Sequence, residues 1–306
     1  MKIVSLLPSA TEIVYALGLG DDLVGVTDEC DHPADAVTKP VVSRSALPQG
    51  RPLPSREIDA AVRERLGRNE PLYVLDRELI RREQPDVILT QDLCRVCAVP
   101  SGQVQRALDE IGASDAKVVS LDPHTLEEVV RQLEVVGEML DRAEMGKELA
   151  SLLRSRIARV KQVAARLPAI GVFALEWFDP PFVGGHWVPE MIQLAGGIPL
   201  LNEAEKPSRE VAWHEINGAN PEVIVFMPCG YYLEEAEEEA DRLWEQPYFA
   251  DTPAARNGNV FAVDATSYFS RPGPRIVDGL EILAWCVHPE AYPAPPDGTV
   301  SRVEAP

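Results

Sequence analysis

The sequence predicts an α/β protein: two similar lobes with mainly parallel sheets, joined by one long rigid backbone helix. Three observations predict it. Strand-length apolar runs alternate with helix-length segments, and strands alternating with helices form parallel sheets covered by helices. One pattern recurs in each half: Pro85-Asp86-Val87-Ile88-Leu89-Thr90 is echoed by Pro221-Glu222-Val223-Ile224-Val225-Phe226. Between the halves, Leu149, Leu153, Ile157, Val160, Ala164 and Leu167 form one stripe of a helix over 142–166.

The elements follow in order. Residues 2–7 are a branched apolar run and read as a buried strand, 8–11 as a turn, 12–17 as a helix, and 23–27 as a second strand. Residues 40–56 contain four prolines and read as loop. A short helix over 76–84 leads through Pro85 into the strand 85–90; a helix over 101–111 and a strand over 117–121 follow. The joining helix, about 37 Å long at 1.5 Å per residue, opens on Asp141 and Glu144 spaced as a capping box and stops at Pro168. Beyond it, 170–175 is a strand, 187–194 a helix capped by Gly196-Gly197, 221–226 and 259–264 strands, and 274–286 a closing helix. The tail from His288 holds five prolines and reads as irregular. The expected organisation is a first lobe over 1–123, a helical linker over 124–168, a second lobe over 169–289 and a tail over 290–306.

The 306 residues carry a net charge of −20 and an apolar fraction of 45%. Phosphate binding needs clustered Lys and Arg, so the charge argues against nucleic acid. No apolar run approaches a membrane span. Lys2 leads directly into Ile3-Val4-Ser5, too short for a signal segment, so the expectation for the chain as written is a cytoplasmic protein, or a periplasmic or cell-surface one if a leader has been removed. Five cysteines, an odd number, suit reduced thiols.

Candidate site residues are those that follow strands. The second half is rich in aromatics there: Trp177, Phe178, Trp187, Tyr231 and Tyr268. Such rings suit a large flat ligand; the alternative is that they are core. Ser9, Thr11 and Asp92 follow strands of the first half and would receive polar groups of the ligand. His186 could ligate cobalt or iron, or cap a helix. Arg271 could fork onto a carboxylate or form a surface salt bridge. Cys94-Arg95-Val96-Cys97 has metal or redox spacing, and Cys30 with His32 could complete a four-ligand zinc or iron set; buried structural cysteines are the alternative. The acidic run over 234–241 reads as a solvated helix face. No nucleophile elbow or phosphate-binding glycine loop is present, so nothing points to an enzyme.

Ile3-Val4-Ser5-Leu6-Leu7-Pro8-Ser9-Ala10-Thr11-Glu12, then Leu17-Gly18-Leu19-Gly20 and Leu23-Val24-Gly25-Val26-Thr27, resembles the opening of class III substrate-binding proteins of ABC importers for cobalamin, haem and ferric siderophores. The cobalamin-binding branch matches best, and the resemblance runs to about Pro289. It implies two Rossmann-like lobes with the ligand in the cleft between them. It implies a corrinoid such as cobalamin, or a related tetrapyrrole, as ligand rather than catalytic cofactor. It also implies an ABC permease docked through an acid on each lobe. Glu234, Glu235 and the acids at 237–239 are available in the second half; 93–108 holds no acid. The alternative on the same scaffold is a cytoplasmic metal-handling or redox protein built on Cys30, His32, Cys94 and Cys97.

Overall fold

The computed structural model describes residues 1–48, 53–93, 98–112 and 115–305. They form two compact units. The first comprises Met1–Leu53, Glu57–Pro123 and Glu128–Ser151; the second comprises Pro54–Arg56, His124–Glu127 and Leu152–Pro306. The helical stretch 124–168 is thus divided between the units.

The first unit holds a six-stranded sheet of β1 (Ile3–Ser5), β2 (Leu23–Thr27), β3 (Val41–Ser45), β4 (Tyr73–Leu75), β5 (Val87–Thr90) and β6 (Lys117–Ser120), in the order β4-β3-β2-β1-β5-β6. All neighbours are parallel except the β3–β4 pair. Central strands of a parallel sheet are covered on both faces, and β1 and β5 are buried along their whole length. Strand order reverses at β1, the place where open α/β sheets leave a crevice beyond their C-terminal ends. β3 falls within the stretch 40–56 that its prolines mark as loop, and β4 had no sequence signal. Asp76 caps the helix Arg77–Glu83, accepting from the Leu79 amide at 2.9 Å.

The stretch expected as a turn at 8–11 is instead the first turn of the helix Pro8–Ala16. Proline is at home there, since its missing N–H would have no partner. The helices Leu126–Met139 and Ala143–Ala164 meet at a sharp turn. Asp141 does not cap the second helix in extended geometry; it takes a left-handed φ of 58° in that turn. Gly146 packs so closely that a Cβ would lie 2.4 Å from the Leu133 carbonyl oxygen. The helix Ala143–Ala164 spans about 33 Å, and its expected stripe faces inward, with Leu153, Val160 and Ala164 buried.

The second unit holds a seven-stranded sheet. Its strands are β7 (Ile170–Trp177), β8 (Phe182–Val183), β9 (Gly197–Pro199), β10 (Arg209–Glu210), β11 (Val223–Phe226), β12 (Val260–Val263) and β13 (Val300–Arg302), in the order β10-β8-β7-β11-β12-β13, with β9 paired to β7. β7, β11 and β12 are parallel; the β7–β8, β8–β10 and β12–β13 pairs toward the edges are antiparallel. β13 corrects the irregular tail: Phe261 pairs with Arg302, whose guanidinium lies 5.1 Å from the Phe261 ring centroid. No helix of the described residues is long and apolar enough to cross a membrane.

Candidate functional site

In the second unit, three strand ends are laced together beyond the C-terminal edge of the sheet. The Cys229 amide donates to the Glu176 carbonyl at 3.0 Å, and the Thr266 amide to the Tyr231 carbonyl at 3.0 Å. The residues after β7, β11 and β12 therefore form one surface. Trp177 and Tyr231 meet edge to face on it, with ring centroids 5.7 Å apart at 72°, a favoured aromatic geometry. Trp177 and Tyr268 are half-buried, and the Arg275 guanidinium lies 5.8 Å from the Tyr268 ring. Tyr231 is more enclosed. Burial first, and then the Glu239 and Glu235 carboxylates, push its phenol far above the ordinary tyrosine value.

The loop leading to Trp187 is clamped from several sides. Glu176 accepts from the Gly185 amide at 3.3 Å and from the Ser208 hydroxyl at 2.6 Å. Burial pushes its carboxyl up, and those two bonds oppose the shift. A Cβ on Gly185 would sit 2.2 Å from the Ser208 amide nitrogen. His186 takes a left-handed φ of 52°, its amide donating to the Lys206 carbonyl at 2.6 Å and its carbonyl accepting from Glu205 at 3.0 Å. Its ring lies 6.3 Å from that of His124 and 5.7 Å from that of Trp187. Burial, then the His124 charge, lower its pKa.

Several sequence-predicted residues have other occupations. Phe178 is 1% exposed and packs on Phe226 and Trp213, so it is a core ring. Trp187 is buried with its indole N–H donating to the Phe269 carbonyl at 2.9 Å, which ties the loop to the turn after β12. Arg271 is buried in that turn.

In the first unit Ser9 and Thr11 are enclosed. The Thr11 hydroxyl lies 3.1 Å from the Cys30 thiol. Asp92 is exposed, but its oxygens accept from the Ser101 amide at 2.9 Å and the Ser101 hydroxyl at 2.6 Å. Partial burial raises its pKa, and the Ser101 bonds outweigh that and hold the carboxyl below the ordinary value.

The metal-handling alternative gains no support. Cys30 is buried beside Thr11 while His32 is exposed. Among the described residues, no group of three or more His, Cys, Asp and Glu is arranged to hold a metal ion. Cys94 and Cys97 lie outside the described residues.

Sequence reasoning offered Glu239 only among the acids at 237–239 available to a permease, and gave no specific role to Glu176 or Ser55. The acidic run is not wholly solvated: Ala236, Glu239 and Ala240 face inward. Alanines four residues apart, with an acid just before the second, were the available signal for Glu239. Ser55 carried none.

Two lobes of largely parallel sheet, joined through helices, with an aromatic rim beyond the strand ends, define a substrate-binding protein fold. Residues 3–266 match the periplasmic binding protein family, and the chain belongs to it, among the class III substrate-binding proteins of ABC importers. The vitamin B12-binding protein of Vibrio cholerae is 26% identical over 284 residues, covering 92% of this chain and 86% of the relative. A similar protein of Photorhabdus laumondii is 25% identical over 285 residues, with 92% and 86% covered. Among solved structures, the periplasmic haem-binding protein of Pseudomonas aeruginosa superposes with a TM-score of 0.73 at 21% identity, covering 99% of this chain and 98% of that one. The periplasmic vitamin B12-binding protein of V. cholerae gives 0.67 at 24%, covering 94% and 96%. The expectation of a cytoplasmic protein finds no support in the matched family, which is described as one of periplasmic binding proteins.

Proposed function

We propose that this protein binds a cobalamin-like corrinoid, or a related tetrapyrrole, without converting it, and delivers it to an ABC permease. The reading rests above all on the edge-to-face Trp177–Tyr231 pair beyond β7 and β11, flanked by the half-buried Tyr268. Flat macrocycles bury much apolar area against such rings, and the Tyr hydroxyls supply polar contacts. Names of relatives at 22–26% identity support the ligand class. Calorimetric titration with cyanocobalamin, with haemin in parallel, tests it. Saturable heat with cyanocobalamin, abolished by Trp177→Ala, is expected. No heat with either ligand up to tens of micromolar would remove the reading.

A further inference from the structure

β13 is the last strand of the second unit's sheet, and only its inner side is paired. Opposite residues of an antiparallel pair alternate between bonded and non-bonded positions. The Asp264 amide donates to the Thr299 carbonyl at 3.0 Å and the Val303 amide to the Val260 carbonyl at 2.9 Å. Ser301 opposite Ala262 is therefore a bonded position, while Arg302 opposite Phe261 and Val300 opposite Val263 are not. The amides and carbonyls of Val300 and Arg302 point away from the sheet, and among the described residues none of them takes a hydrogen bond. Unpaired groups two residues apart on a sheet edge are what an added strand bonds to.

Beside this edge runs a groove of about 560 Å³ between residues 301–305 and the helix Leu233–Ala240 with the Asp241 that follows it. Phe261 and Arg302 share the face on which Trp285 lies, the Phe261 ring 5.7 Å from that of Trp285. Ser301 and Val303 point to the other face, toward the groove. Glu237, Glu238, Asp241 and Glu304 line it, and all are exposed. Among the described residues none of these four carboxylates makes an ion pair or a hydrogen bond. Arg302, the cation among the lining residues, is turned to the opposite face, where it donates to the Gly258 carbonyl at 3.1 Å.

We propose that the open edge of β13 takes up an extended basic segment of another protein as an added strand, with Lys or Arg at every second position. Side chains of an added strand alternate as those of β13 do. Every second one lies on the face of Ser301 and Val303, beside the unpaired carboxylates; those between lie on the face of Arg302, where a further cation is repelled. Main-chain bonds supply affinity and the alternating charges fix the register. A second copy of the same edge would bring two sets of carboxylates together, so charge favours a cationic partner over self-pairing. This mode differs from the single acid on each lobe through which the family resemblance implies permease docking, and it does not depend on the ligand.

Fluorescence anisotropy with short labelled peptides on the full chain tests this. The probe alternates Lys with Val. One control has the same composition with its lysines in a block, and the other is the probe N-methylated at alternate main-chain nitrogens. The probe should bind at least about tenfold tighter than either control and lose affinity as salt is added. Val300→Pro removes an outward N–H and no ladder bond, and Glu237→Gln combined with Glu238→Gln removes charge without touching the edge; each should weaken binding about tenfold. No binding of the probe overturns the proposal. Equal binding of the blocked control would mean a merely anionic surface and overturns the added strand. Equal binding of the N-methylated probe does the same, and needs no variant to fold. Dimerisation of the peptide-free protein that Val300→Pro abolishes would assign the edge to a second copy and overturn the basic partner.

Discussion

Where strand order reverses in the first sheet, most described residues just beyond β1 and β5 are closed off: Leu6, Leu7, Ser9, Thr11 and Gln91 are buried, while Asp92 is exposed but bonded to Ser101. Their polar atoms are used inside the unit, with Ser5 donating to the Leu7 carbonyl at 2.9 Å and Gln91 to the Leu121 carbonyl at 3.2 Å. The corresponding edge of the second sheet carries half-exposed rings over buried acids. A group whose hydrogen bonds are already made gains little from a ligand, because binding only exchanges one partner for another. A half-exposed aromatic ring still has area to bury. Among the described residues, the difference teaches that one topology can supply a largely enclosed edge and an open one, and that affinity should be lopsided, carried by the second unit.

The largest effect is expected at Gly185. Any Cβ there meets the backbone of 206–208, which cannot swing aside as a side chain can. Gly185→Ala should cost about 3 kcal/mol of the second unit's stability, read by chemical denaturation. A cost below about 1 kcal/mol would show that the clamp on the loop is soft. Next comes the comparison itself. Trp177→Ala should weaken corrinoid binding about 10- to 100-fold and Tyr268→Ala somewhat less, whereas Ser9→Ala should change affinity less than about threefold. Comparable losses at Ser9 and Trp177 would break the asymmetry. Smaller again is Thr11→Val, which takes the hydroxyl from the Cys30 thiol. It should cost about 1 kcal/mol of stability with ligand affinity unchanged; an affinity loss instead would place Thr11 in the site.

What could be read from the chain beforehand follows physical lines. The α/β class and the long inward-facing stripe at 149–164 were legible because helix and strand periods are properties of neighbouring residues. β13 was not, because it is made by pairing with β12, a contact that local proline content does not reveal. Position after a strand found the rim, but could not separate Trp177, half-exposed, from Phe178, one residue on and fully packed. Successive side chains leaving a strand point to opposite faces, and only the packing partners say which face is core. Ser55 and Glu239 lie 184 residues apart and neither stands out alone; their pairing exists only in the fold.

The finest test of the comparison lies in the pH dependence of the clamped loop beside the open edge. The folded state holds His186 below the ordinary histidine value of 6.5, through burial first and the charge of His124 second. The fold thus favours neutral imidazole, while the unfolded chain takes up its proton at higher pH. Where the unfolded state binds more protons, stability rises with pH. The contribution of His186 is therefore complete above about pH 6.5 and is lost as pH falls through that value toward the lowered folded one. His288 is depressed by burial as well and acts in the same direction, so wild type alone does not isolate the effect. His186→Asn does, because asparagine tolerates the left-handed φ of 52°. Denaturation midpoints followed from about pH 7 to about pH 5 should fall more steeply in wild type than in His186→Asn. Parallel curves would mean that the loop accepts the imidazolium ion without strain, and that the second unit's edge is held by Gly185 and Glu176 alone.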